Sequence, residues 1–265
     1  MNLRTALEKV SPLTGYNLVI QLIPEALTNK IYRISSKTLL KEWALRISQK
    51  NINLGIDHNR EERILKLISN TEWAVTPEYY SHDICLTQWI DGSPFKPESD
   101  SQIHEIAKLI ANIHSVPTET LNDIEPIKID EQLLKLFNNL PTKPHLDFSD
   151  LLYKKIQKYQ PPKSLKLCHF DIHPGNLLTA NDKLKLLDWE YAAPGDPLID
   201  IACAIEGLNL DNHKQNVLLT ALDLTPETMR YPICLAQALS LLWYMNRFPA
   251  SDFNDRLRQW IQTWK

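Results

Sequence analysis

The feature that most restricts what this chain can fold into is a change in the period of its apolar residues near residue 91. Before it, Asn17 to Ile23, Lys30 to Ser35 and Trp43 to Ser48 are short runs rich in Val, Ile, Leu and aromatics. They are separated by Pro24, Thr28-Asn29 and Ser35-Ser36, which is turn material, so three neighbouring antiparallel strands are expected. From about Asp57 to Ser69 the period becomes helical, with Asp57 placed to cap and Glu61, Ile64, Leu65 and Ile68 on one face. Asp83 to Ile90 reads as a further strand and runs into Asp91-Gly92-Ser93-Pro94, a strong turn signal. Beyond this point helices dominate. Ile103, Ile106, Ala107, Ile110 and Ile113 form an amphipathic stripe, and segments near 129–139 and 147–159 repeat the pattern. The chain of 265 residues is long enough for one large or two small domains, and the change of period divides it into 1–90 and 91–265. A mixed α/β fold follows, with a small, mainly β N-terminal lobe and a large, mainly α C-terminal lobe.

Composition narrows the function classes. Lys and Arg total 29 against 32 Asp and Glu, so no global positive field recommends a nucleic acid partner. The four cysteines are far apart in sequence and form no Cys-x-x-Cys pair, so they read as reduced thiols rather than a zinc knuckle or disulfide framework. The most apolar late segment, Ile233 to Met245, contains Gln237 and is too short to span a bilayer. No membrane partner and a cytoplasmic location are expected.

The helical half is interrupted between Leu165 and Trp189 by a small hairpin with polar residues at its ends. Its loop reads His169-Phe-Asp171-Ile-His173-Pro-Gly-Asn176, and twelve residues later Asp188 closes an apolar strand in Leu-Leu-Asp188-Trp-Glu190. Phosphoryl transfer needs such a set: one carboxylate to orient a hydroxyl and two oxygen ligands to hold a metal that neutralises phosphate charge. A competing reading makes His169, Asp171 and His173 zinc ligands of a hydrolase, but the spacing His-Glu-x-x-His is absent.

His169-x-Asp171-x-His173-x-x-Asn176 followed by Leu-Leu-Asp188-Trp-Glu190-Tyr resembles the catalytic core of the choline kinase, thiamine kinase and aminoglycoside phosphotransferase superfamily, whose fold is that of protein kinases. The resemblance implies a two-lobed protein-kinase-like structure that binds ATP between its lobes. It implies Asp171 as catalytic base or hydroxyl-orienting group, Asn176 and Asp188 as Mg²⁺ ligands, and His169 as a support of the loop. Leu27-Thr28-Asn29-Lys30-Ile31-Tyr32-Arg33-Ile34 resembles the family's nucleotide loop and second strand, which implies Thr28 and Asn29 beside the nucleotide. Glu25-Ala26 stands where related loops usually carry glycine, the residue that lets backbone amides approach phosphate. Trp43-Ala-Leu-Arg46-Ile matches the third strand, with Arg46 at the phosphate-contacting lysine position, and a guanidinium is chemically suited to it. Glu61, on the apolar face of the next helix, is the expected partner of Arg46, although a pair with Arg63 or Lys66 would serve it equally.

Asp200 resembles a family position that braces the catalytic loop, and both Asp196 and Asp200 stand where they could cap a helix. Trp189, Tyr191, Trp243 and Tyr244 read either as core or, with Glu190, as an acceptor pocket whose aromatic faces attract a cation. The resemblance implies transfer of the γ-phosphoryl group of ATP to the hydroxyl of a small acceptor. Thiamine is favoured because the Leu-Leu-Asp188-Trp-Glu190-Tyr-Ala segment looks most like bacterial thiamine kinases. Choline or ethanolamine is the alternative, and an aminoglycoside a third.

Overall fold

The computed structural model describes residues 1–24, 29–48, 54–144 and 146–265. In chain order the first elements are α1 (Leu3–Thr14), β1 (Leu18–Ile23), β2 (Asn29–Ser36), β3 (Lys41–Ser48), α2 (His58–Leu67), β4 (Pro77–Ser81), β5 (Ile84–Gln88) and β6 (Ser93–Pro94). Then come α3 (Asp100–His114), α4 (Ile129–Asn139), α5 (Leu146–Lys158), β7 (Lys166–Cys168), β8 (Leu177–Ala180), β9 (Lys183–Leu186) and β10 (Ala193–Gly195). The chain ends with α6 (Pro197–Gly207), α7 (Asn212–Ala221), α8 (Pro226–Arg247) and α9 (Asn254–Trp264).

The chain forms two compact units. The smaller contains Met1–Asn51, Asp57–Phe95 and Leu177–Glu190, and the larger contains Ile52–Ile56, Lys96–Asn176 and Tyr191–Lys265. The boundary expected at 90/91 stands near Phe95, while residues 177–190 and 52–56 lie across a single cut of the chain. The reason for the first is strand pairing: Ser93 and Pro94 pair with Thr179 and Leu178, and β8 pairs with β9. The approach is close, since a Cβ at Gly92 would fall 2.8 Å from the Thr179 carbonyl oxygen.

In the smaller unit an antiparallel sheet runs in the order β1-β2-β3-β5-β4. Ile34, Trp43, Leu45, Ile47, Ile84 and Leu86 bury one core with Ala6 and Val10 of α1. Two elements exceed the sequence reading of this half, which had one helix and four strands. Helix α1 is capped by Asn2, whose side chain accepts the Thr5 N–H at 2.9 Å, and it carries Leu3, Ala6, Leu7 and Val10 at helical spacing despite Pro12. Strand β4 is a sheet edge that begins on Pro77, a position where proline's missing N–H costs no ladder bond.

The larger unit is helical around Leu133, Leu136, Phe137, Phe148, Leu152, Ile199, Leu235, Leu242 and Trp260. Helix α3 opens with a capping box, the Ser99 side chain accepting the Gln102 N–H while Gln102 accepts the Ser99 N–H. The late apolar segment lies within α8, and no helix among the described residues is long and apolar enough to cross a membrane.

Candidate active site

In the smaller unit the site residues gather on Arg46. Its place on β3, between β2 and β5, buries the guanidinium stem, and its side chain is 11% exposed. Nη2 donates to both carboxylate oxygens of Glu61, at 2.6 and 2.7 Å, and Nη1 donates to Asp188 Oδ1. Glu190 Oε2 lies 3.8 Å from the same Nη1 and accepts a hydrogen bond from Asn29 Nδ2 at 2.7 Å. Nε of Arg46 is buried and has no hydrogen-bond partner among the described residues. The choice left open for Glu61 resolves by geometry: Lys66 pairs with Glu62 at 2.7 Å, and Glu61 faces inward to Arg46. Thr28 and Glu25-Ala26 lie outside the described residues.

Two of the acidic groups around this guanidinium, Glu61 and Glu190, shift in opposite directions. Burial pushes the Glu61 carboxyl up, but the Arg46 charge and the contacts of His58, Tyr80 and Arg46 outweigh it and bring it down to about 2. Burial also dominates Glu190, and with the nearby Asp188 charge it pushes this carboxyl up to about 8 against the pull of Arg46 and Asn29. Burial disfavours the Arg46 charge, yet Glu61 and Asp188 outweigh it and hold its pKa well above the ordinary value. Tyr80, whose hydroxyl donates to Glu61 at 2.7 Å, was not singled out in the sequence, because it stands on the strand that the apolar pattern misses.

In the larger unit the loop after β7 is held from both ends. His169 is fully buried, and its Nδ1 accepts the Asp171 N–H at 3.2 Å. Asn176 Nδ2 donates to the Asp171 carbonyl at 2.9 Å and to its carboxylate Oδ2 at 3.1 Å, leaving the Asn176 amide oxygen outside these bonds. The Asp171 carboxylate stays open to solvent, with 36% of the side chain exposed. His173 turns its Nδ1 to the Gly175 N–H at 3.1 Å and its Nε2 to within 3.7 Å of Asp171 Oδ2. Asp200 is fully buried and accepts the N–H groups of His169 at 3.1 Å and Phe170 at 2.6 Å, while Asp196 caps α6 through the Leu198 N–H. Helix α6 packs tightly here, since a Cβ at Gly207 would fall 2.5 Å from the Ile172 carbonyl oxygen. Asp200 also meets His114, which sequence reasoning missed. A signal existed: His114 follows Ile110 by four residues and so continues the apolar stripe of α3.

The aromatic set divides. Trp243 Nε1 donates to the Tyr191 hydroxyl at 2.9 Å, and the Trp243 and Tyr244 rings meet edge to face at 5.1 Å, all three half-buried in the larger unit. Trp189 and Glu190 belong to the smaller unit and are 2% and 1% exposed. Trp189 lies against Trp73 at 5.4 Å and donates to the Leu186 carbonyl, so its ring is core and has no face free for a solute.

The known proteins that this chain resembles bear on the chemistry of this arrangement. The model of the phosphotransferase enzyme family, APH, matches residues 19–222. A protein LicA homolog of Metamycoplasma hominis is 28% identical over 176 residues, which cover 64% of this chain and 70% of that protein. The thiamine kinase of Escherichia coli O1:K1 is 41% identical over 68 residues, 25% of this chain and 24% of that enzyme. The crystal structure of choline kinase LicA from Streptococcus pneumoniae superposes with a TM-score of 0.79 at 18% identity, covering 98% of this chain and 99% of that one. LicA in complex with AMP superposes equally, at 0.79 and 17% identity over 99% and 98% of the two chains. The fold is the protein-kinase-like α/β fold that the sequence led us to expect, with a β-sheet N-terminal region and a helical C-terminal region.

Proposed function

The chain belongs to the phosphotransferase enzyme family, and from that premise we propose that it transfers the γ-phosphoryl group of ATP to the hydroxyl of a small cationic metabolite, with thiamine as the working acceptor. The observation that carries this reading is the Asn176–Asp171 contact: a carboxylate anchored by an amide and still open to solvent. A carboxylate so held can orient an acceptor hydroxyl and take its proton as the oxygen–phosphorus bond forms.

The donor set suits ATP and Mg²⁺. The Asn176 amide oxygen and the Asp188 carboxylate are hard oxygen donors of the kind magnesium takes, and the unpartnered Nε of Arg46 leaves one donor for a phosphate oxygen. When bound, Mg²⁺ would supply positive charge that offsets the negative charge of the phosphates during transfer. Asn176 and Asp188 would hold the ion, Arg46 would steady the phosphates, and Glu61 fixes Arg46. Asn29 would lie beside the nucleotide, and His169 and Asp200 support the loop. In this reading the smaller unit is the nucleotide-binding lobe and the larger the catalytic and acceptor-binding lobe.

Tyr191, Trp243 and Tyr244 are the acceptor-side aromatics. Tyr244 already receives a cation, since the Arg256 guanidinium lies 5.0 Å over its ring. Local identity to thiamine kinases supports thiamine. The longer match to the LicA homolog and the LicA choline kinase fold support choline, with ethanolamine, as the alternative. An ADP-release screen with Mg-ATP and thiamine, choline, ethanolamine, sugars and aminoglycosides tests the reading. Turnover with a cationic alcohol of low mass is expected; turnover confined to neutral sugars, or to aminoglycosides, overturns it.

A further inference from the structure

Exposed apolar side chains gather at one corner of the smaller unit. Among the described residues nine large apolar side chains are exposed, and all but Leu146 and Tyr153 lie between residues 13 and 40. Helix α1 ends at Thr14, and only Gly15, Tyr16 and Asn17 separate it from Leu18, the first residue of the edge strand β1. Leu18 pairs with Ser36, which pairs in turn with Lys41, so the turn at 37–40 leaves the sheet at the same end as Tyr16. Tyr16 is 85% and Leu40 90% exposed, and Leu13, Val19 and Leu39 are exposed with them. Leu40 has φ of +50°, a left-handed backbone that turns usually give to Gly, Asn or Asp. A leucine there gains neither burial nor a relaxed backbone, so the fold of the chain itself supplies no reason for it.

Charge is gathered at the same place. Residues 1–41 hold Arg4, Lys9, Lys30, Arg33, Lys37 and Lys41 against Glu8 and Glu25, a net charge of +4 in a chain whose formal charge is -3. Arg4 pairs with Glu8 and Arg33 with Glu42, whereas Lys9, Lys37 and Lys41 are exposed and form no ion pair among the described residues. Lys37 and Lys41 flank the Leu39-Leu40 tip, and Lys9 stands one turn before Leu13 on the same face of α1.

We propose that this corner of the small sheet docks on an anionic lipid surface, with Tyr16, Leu39 and Leu40 entering the headgroup region and Lys37 and Lys41 meeting its negative charge. The sequence expectation of no membrane partner came from the lack of a spanning segment, and a surface that lies on a bilayer needs none. A second copy of this chain is a poorer occupant, because it would set the basic region against its own charge. A nucleic acid is poorer too, since Leu39 and Leu40 offer phosphate no hydrogen bond. The docking surface is separate from Arg46, Glu61, Asp171, Asn176 and Asp188, so it stands or falls without the roles assigned to them.

The experiment is co-sedimentation of the full chain with vesicles of phosphatidylcholine containing about 30% phosphatidylglycerol, and with vesicles of phosphatidylcholine alone, at low salt and at about 0.5 M salt. Wild type should partition onto the anionic vesicles roughly tenfold or more above the neutral ones, and the added salt should release it. Leu39→Ser combined with Leu40→Asn should lower the partition coefficient by about tenfold or more, and asparagine suits the left-handed turn, so this variant keeps its fold. Lys37→Gln combined with Lys41→Gln should lower it by roughly tenfold. Thermal melts and Mg-ATP binding of both variants should match wild type. An absence of binding to the anionic vesicles overturns the proposal, as does equal binding to neutral vesicles, or a leucine variant that binds as well as wild type. Light scattering without lipid identifies the other occupant: a dimer that the leucine variant dissociates, in a protein that ignores both kinds of vesicle, overturns the proposal and gives the corner to a second copy.

Discussion

Asn176 reaches back five residues to Asp171 and binds it twice, through the carbonyl at 2.9 Å and the carboxylate at 3.1 Å. A single amide thus fixes both the backbone and the side chain of the proposed hydroxyl-orienting group. Asp171→Ala should lower turnover by about 10² to 10⁴-fold, the usual value of a positioned acid-base group, while Mg-ATP binding by calorimetry remains within a few fold of wild type. Near-normal turnover in a folded variant would reject the assignment.

Asp188→Ala should behave differently. Because Asp188 is a proposed metal ligand that also pairs with Arg46, its loss should weaken metal-nucleotide binding together with turnover. Titrating Mg²⁺ against rate reads this directly: the half-saturating concentration should rise by about tenfold or more. An unchanged metal dependence contradicts the role.

Acid should report on Glu61. Its pKa is about 2 in the folded chain and 4.5 ordinarily, a depressed value, so its stabilising contribution is present above the ordinary pKa and is lost as pH falls toward about 2. A displacement of two to three units corresponds to about 3 kcal/mol. Glu61→Gln keeps an acceptor for Arg46 and removes the titration. Urea denaturation of both proteins between pH 3 and 7 should show their stability difference shrinking as pH drops. A difference constant over that range would show that Glu61 is not held ionised by Arg46.

How much of this was legible in the sequence depended on whether the partners were local. The β8–β9 hairpin was readable because Asn181 and Asp182, residues suited to left-handed backbone, both adopt positive φ of 50° and 57°. The loop from His169 to Asn176 was readable because its internal bonds, Asp171 to His169 and Asn176 to Asp171, are local, although its tie to Asp200 is not. Helix α1 was missed although its spacing was present, since Pro12 masked a helix that continues past it. Strand β4 was missed because Glu78, Tyr79, Tyr80 and Ser81 do not alternate in polarity, and its pairing to β5 comes from the sheet. The contacts of Arg46 with Asp188 and of Asn29 with Glu190 join residues 142 and 161 apart, and no local pattern encodes them. The same holds for the split of the aromatic set between two units.

That split gives the last prediction, in which two tryptophans once grouped together should fail in opposite ways. Trp189 is enclosed against Trp73, so Trp189→Ala should cost about 3 to 5 kcal/mol of stability, the usual loss for a large buried ring, and should leave the KM of the acceptor close to wild type at a temperature where the variant is folded. Trp243 is half-buried, with its ring edge on Tyr244 and its N–H on the Tyr191 hydroxyl. If these rings receive a permanent positive charge, which cannot be discharged by losing a proton, Trp243→Ala should raise the KM of the acceptor more than that of ATP. The loss should be about 0.5 to 2 kcal/mol, which is a factor of roughly 2 to 30 in KM. Steady-state kinetics with each substrate varied in turn, paired with thermal melts of both variants, makes the comparison. Should Trp243→Ala only lower the melting temperature and leave both KM values unchanged, its ring belongs to the core as Trp189 does, and the acceptor's charge is met elsewhere.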